Sequence, residues 1–218
     1  MATSRQLKTV FQIALTFFVV LAKVLDAAPT IAVPAEDESI SDSFRFLYQR
    51  ISAFHSDHVD IFDNFKSLRL DDQDIMNDVH SFTFEGLPIP VSRFFAFRMK
   101  TKDLLVLHRD NFQAFESFVE VMYKDELDHE SSGLPHPFHD DFSRLQVHLR
   151  QIVVKLNSLL HTLGHTDSVD TEKDVSGTNM INSVHIRDMR HAKVLNRLSN
   201  YLPSARQDIE VLQKRSVA

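Results

Sequence analysis

Twelve histidines and no cysteine set the terms for any chemistry this 218-residue chain could carry. Without a thiol there is no disulfide, no cysteine nucleophile and no cysteine-ligated zinc. Two histidine pairs have helical spacing: His55 with His58, three apart, and His161 with His165, four apart. Two imidazoles do not make a zinc site, which takes three or four ligands. The histidines are therefore read as partly exposed polar side chains, and no metal or cofactor is expected. Glu126 and His129 form a Glu-x-x-His pair, a unit that di-iron carboxylate bundles use twice, with further glutamates from other helices. No second such pair exists here, so this one reads as helix-end decoration.

The rest of the catalytic repertoire is missing. There is no Gly-x-Gly or phosphate loop, no Gly-x-Ser-x-Gly elbow and no His-Glu-x-x-His helix. Four glycines leave little material for turns that cradle a nucleotide. The paired acids Asp71–Asp72 and Asp140–Asp141 fall beside predicted helix ends, and Asp140–Asp141, near a helix start, is explained by capping and the helix dipole. The chain is expected not to be an enzyme. A net charge of −6 with both signs interspersed offers no basic stripe, so no nucleic-acid partner is expected.

What remains is the scaffold. With 43% hydrophobic and 25% charged residues, the chain suits one domain with a substantial core. Apolar residues recur at helical spacing in four long stretches. The first runs from about Asp42 to Leu68, with Phe44, Leu47, Ile51, Phe54, His58, Ile61, Phe65 and Leu68 as its stripe and Ser41 or Asp42 as its cap. The second spans about Lys102 to Glu130, the third about Phe138 to Leu163, and the fourth starts near Val184. The last contains Pro203, whose missing N–H and ring clash cost about 3 kcal/mol inside a helix. The connections are long, short and long. A short loop forces antiparallel neighbours, whereas a long one can return along the bundle and leave its helices parallel. The expected fold is all-α: a long-chain four-helix bundle, up-up-down-down, over residues 42–214, followed by a short tail at 215–218.

The amino end reads as an export signal. Arg5 and Lys8 precede the apolar run Val10 to Ala22, which is shorter than the ~20 residues that span a bilayer. A signal peptide over 1–27 is expected, its end falling between 22 and 35, followed by a flexible mature amino terminus over 28–41. The expected product is secreted, monomeric and not inserted in a membrane. Without cysteines it must hold together by packing alone.

Three segments carry a resemblance. "KVLNRLSNYLPSARQDIEVL" (193–212) resembles the fourth helix of the interleukin-six-type helical cytokines, in the branch of ciliary neurotrophic factor, cardiotrophin and leukaemia inhibitory factor. The matching positions are Lys193, Val194, Leu195, Leu198, Ser199, Tyr201, Asp208, Ile209 and Leu212. "NFQAFESF" (111–118) is similar to the second-helix segment of ciliary neurotrophic factor. "GLPIPVSRFF" (86–95) is similar to the segment ending the first crossover, with Phe94 or Phe95 where the family has tryptophan. The resemblance implies a secreted cytokine that brings cell-surface receptor chains together. It also implies receptor contact through Phe94 and Phe95 and through the start of the fourth helix, taken to lie at the same end of the bundle. There the family's Phe-x-x-Lys pair aligns with His185 and Asp188, and Val184 and Arg187 sit one residue earlier. A family arginine late in that helix, used for a non-signalling receptor chain, falls at Ser204. The rival expectation from amphipathic helices alone is a secreted bundle carrying lipid or another hydrophobic ligand.

Overall fold

The computed structural model describes residues 39–70, 79, 85–131, 138–165 and 183–217, without the side chains of 129–131 and 217. The expected export signal, its cleavage sites, most of the amino-terminal segment, Asp71–Asp72, the His129 side chain and residue 218 lie outside this description. Among the described residues the fold is all-helical, with no strand. The helices are α1 (Ile40–Arg69), α2 (Arg93–Arg98), α3 (Thr101–Ser131), α4 (His139–Thr162) and α5 (Val184–Val217). No helix among them is long and apolar enough to cross a membrane.

The four long helices lie where the apolar spacing puts them, and their ends have local causes. α1 begins at Ile40, earlier than the expected cap. Ser39 is its N-cap, accepting from the Asp42 N–H at 3.1 Å and donating to the Asp42 carboxylate at 2.8 Å. That exchange satisfies one of the amide donors left over at a helix start. α4 stops at a left-handed glycine. Gly164 has φ 74°, its N–H bonds the His161 carbonyl and the His165 N–H bonds the Leu160 carbonyl, both at 2.9 Å. This is a Schellman closure, which needs a residue that adopts positive φ without strain. Asp140 and Asp141 do occupy the first turn of α4, but no side chain caps it.

The inward stripe of α1 is as expected from Phe44 to Phe65, and Phe62 joins it. Leu68 departs from expectation and faces solvent. The inward position after Phe65 falls to Arg69 instead, whose guanidinium reaches Glu126 and Asp188. α5 runs unbroken through Pro203. Leu195, Leu198, Leu202, Ala205, Ile209 and Leu212 are all buried along it, so the apolar face of the helix continues on both sides of the proline. Each such leucine or isoleucine contributes about 1.5–3 kcal/mol of burial, enough to offset a missing backbone bond.

α1 packs most extensively on α5, and α3 on α4; smaller contacts join α1 to α4 and α3 to α5, and α2 rests on α5. Near the carboxyl end of α1, Phe65 packs on Phe138 and Phe142 at the start of α4 and on His191 in α5. Tyr201 sits among Phe112, Phe115 and His108 of α3, with ring centroids 5.3–5.9 Å apart. Most of the phenylalanines of α1, α3 and α4 are core residues. Those of α2 are not.

Candidate functional site

α2 is a single short helix in which only Ala96 is buried. Phe94, Phe95 and Phe97 are 59%, 63% and 69% exposed, so "FFAF" presents three rings to solvent rather than filling the core. Arg215, near the end of α5, fixes this segment in place. It donates to the Phe97 carbonyl at 2.5 Å and the Met99 carbonyl at 3.3 Å, and its guanidinium stacks over the Phe97 ring at 5.0 Å. Arg98 stacks over Phe94 at 3.9 Å. Beside the rings runs a groove of about 710 Å³, lined by Phe94, Phe97, Leu104, Gln207 and Val211. Single exposed apolar residues need no explanation, but three adjacent rings, two of them held by arginines, form a patch of the kind that marks a binding surface.

The other residues expected to meet a receptor lie elsewhere. Val184 and His185 are exposed at the first turn of α5, together with Ile186, which the sequence reading did not single out. Arg187 is mostly covered and Asp188 is buried. Ser204 is half-buried next to Pro203. Phe94 and Phe95 do not share an end of the molecule with Val184 to Asp188. α2 packs against the last turns of α5, around Gln207 to Arg215, whereas the other group opens that helix. At 1.5 Å per residue, Arg187 and Val211 are about 36 Å apart along α5. The order of the connections is what separates them: α2 precedes the start of α3, and that start lies beside the finish of α5, where Leu104 shares the groove with Val211.

Asp188 turns inward because a buried ionic cluster holds it. Arg69 donates to Glu126 at 2.9 Å and to Asp188 at 3.3 Å. The same Glu126 oxygen accepts the Phe138 N–H at 2.9 Å, tying the start of α4 to α3. In α5, His191 Nε2 meets Asp125 at 2.9 Å, and Arg190 pairs with the same Asp125 oxygen. Glu126 and His191 are fully buried, so Glu126 is no helix-end decoration but joins four helices. Burial holds the His191 imidazole below its usual range despite the pull of Asp125 and Glu126. Burial likewise lifts the Asp188 carboxyl, against the opposing pull of Arg69, His191 and Arg187. Burial also works to raise Asp125, but there the hydrogen bond and charge of His191, with Arg190, win and hold it low.

Two further histidines are buried, contrary to the expectation of partly exposed polar side chains. His108 Nδ1 lies 2.7 Å from the Tyr201 hydroxyl, which also accepts from Asn111 at 3.3 Å, and His108 Nε2 lies 3.3 Å from Asp208. Burial first, then the charges of Asp208 and Asp110, push the Tyr201 phenol upward and keep it neutral. His58 has no well-formed hydrogen bond and lies against Phe54 and Phe62. The helical pairs His55–His58 and His161–His165 do not converge: His58 turns into the core while His55 is half-buried, and His161 is exposed at the end of α4. No spacing rule finds the ionic cluster, since its members come from residues 69, 125–126, 138 and 188–191. Only the surprise of Arg69 at an inward helical position hints at it.

Compared with known protein families, curated proteins and solved structures, the chain gives no match.

Proposed function

We propose that the chain is a secreted helical cytokine: a long-chain, up-up-down-down four-helix bundle that acts as a monomer and brings cell-surface receptor chains together. The observation that carries the reading is how the helix ends meet. The carboxyl end of α1 at Phe65 and Arg69 and that of α3 at Asp125–Glu126 adjoin the amino ends of α4 at Phe138 and of α5 at Asp188–His191. These neighbours support a bundle in which the first two long helices run one way and the last two return. The function needs no chemistry of its own. A ligand of this kind works by geometry, presenting separate faces of one rigid body to different receptors. Two candidate faces lie at opposite ends of α5: the aromatic–arginine patch on α2, and the exposed Val184, His185 and Ile186 at the amino end. Arg187 and Asp188, implied by resemblance as contacts, serve in this reading to hold that first turn rather than to touch a partner.

The test is a binding titration of the mature, purified protein against a panel of cytokine-receptor ectodomains, with variants at each end. Phe95→Ala and the pair Val184→Ala with His185→Ala should each weaken binding tenfold or more to at least one ectodomain, with helicity unchanged. Tenfold is 1.4 kcal/mol, a modest demand on an interface centre. Full-strength binding by both variants would remove these faces from the mechanism. Failure to bind any ectodomain, together with a change of helicity on lipid vesicles, would favour the carrier reading instead.

A further inference from the structure

We propose that Glu126, Asp188 and His191 form a zinc site inside the bundle, independently of whether the protein is a cytokine. The three side chains bring one ligand atom each within 4.8 Å of one another, and all three are buried. Within this trio two atoms lack partners: Glu126 Oε1 and His191 Nδ1, on fully buried side chains, make no hydrogen bond and face each other at 3.7 Å. Two acceptors cannot bond each other, and a buried polar atom without a partner costs about 1–3 kcal/mol. Something with positive character belongs between them.

The surroundings prepare these atoms as ligands. His191 Nε2 is engaged by Asp125 at 2.9 Å, which fixes the tautomer and leaves the Nδ1 lone pair facing inward. This carboxylate–histidine pairing is how metal-binding imidazoles are usually oriented. Glu126 Oε2 is saturated by Arg69 and the Phe138 N–H, each at 2.9 Å, so Oε1 alone is left to bind. The Asp188 carboxylate offers an oxygen from the turn before His191. Around zinc, ligand atoms about 2 Å from the metal lie about 3.4 Å apart, so the 3.7 Å His191–Glu126 pair needs little adjustment, while the full set, within 4.8 Å, must draw together on binding. Nitrogen and oxygen ligands without sulfur suit zinc with a water completing the set. Three carboxylates in this cluster already face Arg69, Arg187 and Arg190, so the affinity should fall below that of a dedicated structural zinc site. The competing occupant is a buried water donating to both atoms.

The experiment titrates cobalt chloride, then zinc chloride, into the full purified chain after treatment with a chelator. One cobalt per chain should produce a visible absorption band that zinc removes, and zinc should raise the melting temperature. His191→Gln and Asp188→Asn should each weaken binding tenfold or more, while the His161→Ala, His165→Ala pair leaves it unchanged. No absorption band on the folded wild type, or undiminished binding by His191→Gln, would overturn the site and leave the water in its place. If His191→Gln loses helicity, the wild-type imidazole nitrogen resonances decide. A shift of His191 Nδ1 on zinc addition supports the site, and an unmoved resonance refutes it.

Discussion

Acidification should destabilise this protein through one histidine in particular. His58 lies on the core face of α1 between Phe54 and Phe62, fully buried and without a well-formed hydrogen bond. Burial, helped by the neighbouring His55, lowers its pKa from 6.5 to about 4; the Leu195 carbonyl and Asp63 pull weakly the other way. In the unfolded chain the same imidazole takes its proton near pH 6.5. Between the two values the unfolded state binds more protons, so stability falls as the pH drops through that window. Above pH 6.5 the effect is absent, and below pH 4 it is complete, at about 3 kcal/mol for a shift of this size. At pH 4.5 the loss relative to pH 7 works out at about 2.5 kcal/mol. Carboxylates titrate in the same range, so the assay compares two proteins. Urea unfolding followed by circular dichroism, at pH 7 and pH 4.5, is run on the wild type and on His58→Leu, which keeps an apolar side chain of similar volume. The wild type should lose about 2.5 kcal/mol more than the variant over that step. Equal losses would mean that His58 is not held neutral, and that the ring finds a hydrogen-bond partner or water that the packing does not reveal.

Three substitutions probe the joints of the fold, each read by thermal or urea unfolding. Gly164→Ala should cost about 1–2 kcal/mol, because φ 74° strains a residue with a Cβ while no neighbour lies close enough to clash. Tyr201→Phe strips the hydroxyl from buried His108 Nδ1 and should cost about 1–3 kcal/mol; an unchanged midpoint would mean that His108 is satisfied another way. Pro203→Ala restores an amide donor for the Ser199 carbonyl and should raise stability by about 1–3 kcal/mol, less whatever the proline contributes by restricting the unfolded chain.

The helices were legible in the sequence because their signal is periodic and local. Phe44 to Phe65, Phe142 to Leu159 and Leu195 to Leu212 repeat every three or four residues and are buried together. Helix ends were less legible, since Ser39 caps α1 through one hydrogen bond that Ser41 and Asp42 could have made as plausibly from sequence. Leu68 was misplaced for a related reason. Hydrophobicity alone puts leucine inward, and nothing nearby in sequence announces that Arg69 has carboxylate partners at 126 and 188. The same holds for His108 and His191, whose burial depends on what the other helices bring to them, whereas His58 lies on the expected inward stripe of α1. Phe94 and Phe95 stood out in the sequence through the resemblance, and Phe97 shares their short helix. Their exposure follows from the brevity of α2, which has room to bury Ala96 alone.

α5 then links the two ends of the molecule. Its first turns carry Asp188, Arg190 and His191 into the ionic cluster, and its last turns carry Arg215 beneath the aromatic patch. Each anchor is specific in a way that apolar packing is not. Sliding α5 by one turn, about 5.4 Å, would preserve much of its leucine stripe but break every one of these bonds. The polar contacts therefore fix the register of the helix, and with it the distance between the two exposed surfaces. Pro203 lies between the anchors, where the buried Leu202 and Ala205 hold the helix straight enough to continue. In the proposed mechanism that distance is the quantity a receptor pair would read. Loosening one anchor should then impair the face beside it first. Arg215→Ala should weaken contacts made by α2 while leaving those of Val184 and His185 intact, and equal loss at both ends would show that α5 does not act as a fixed spacer.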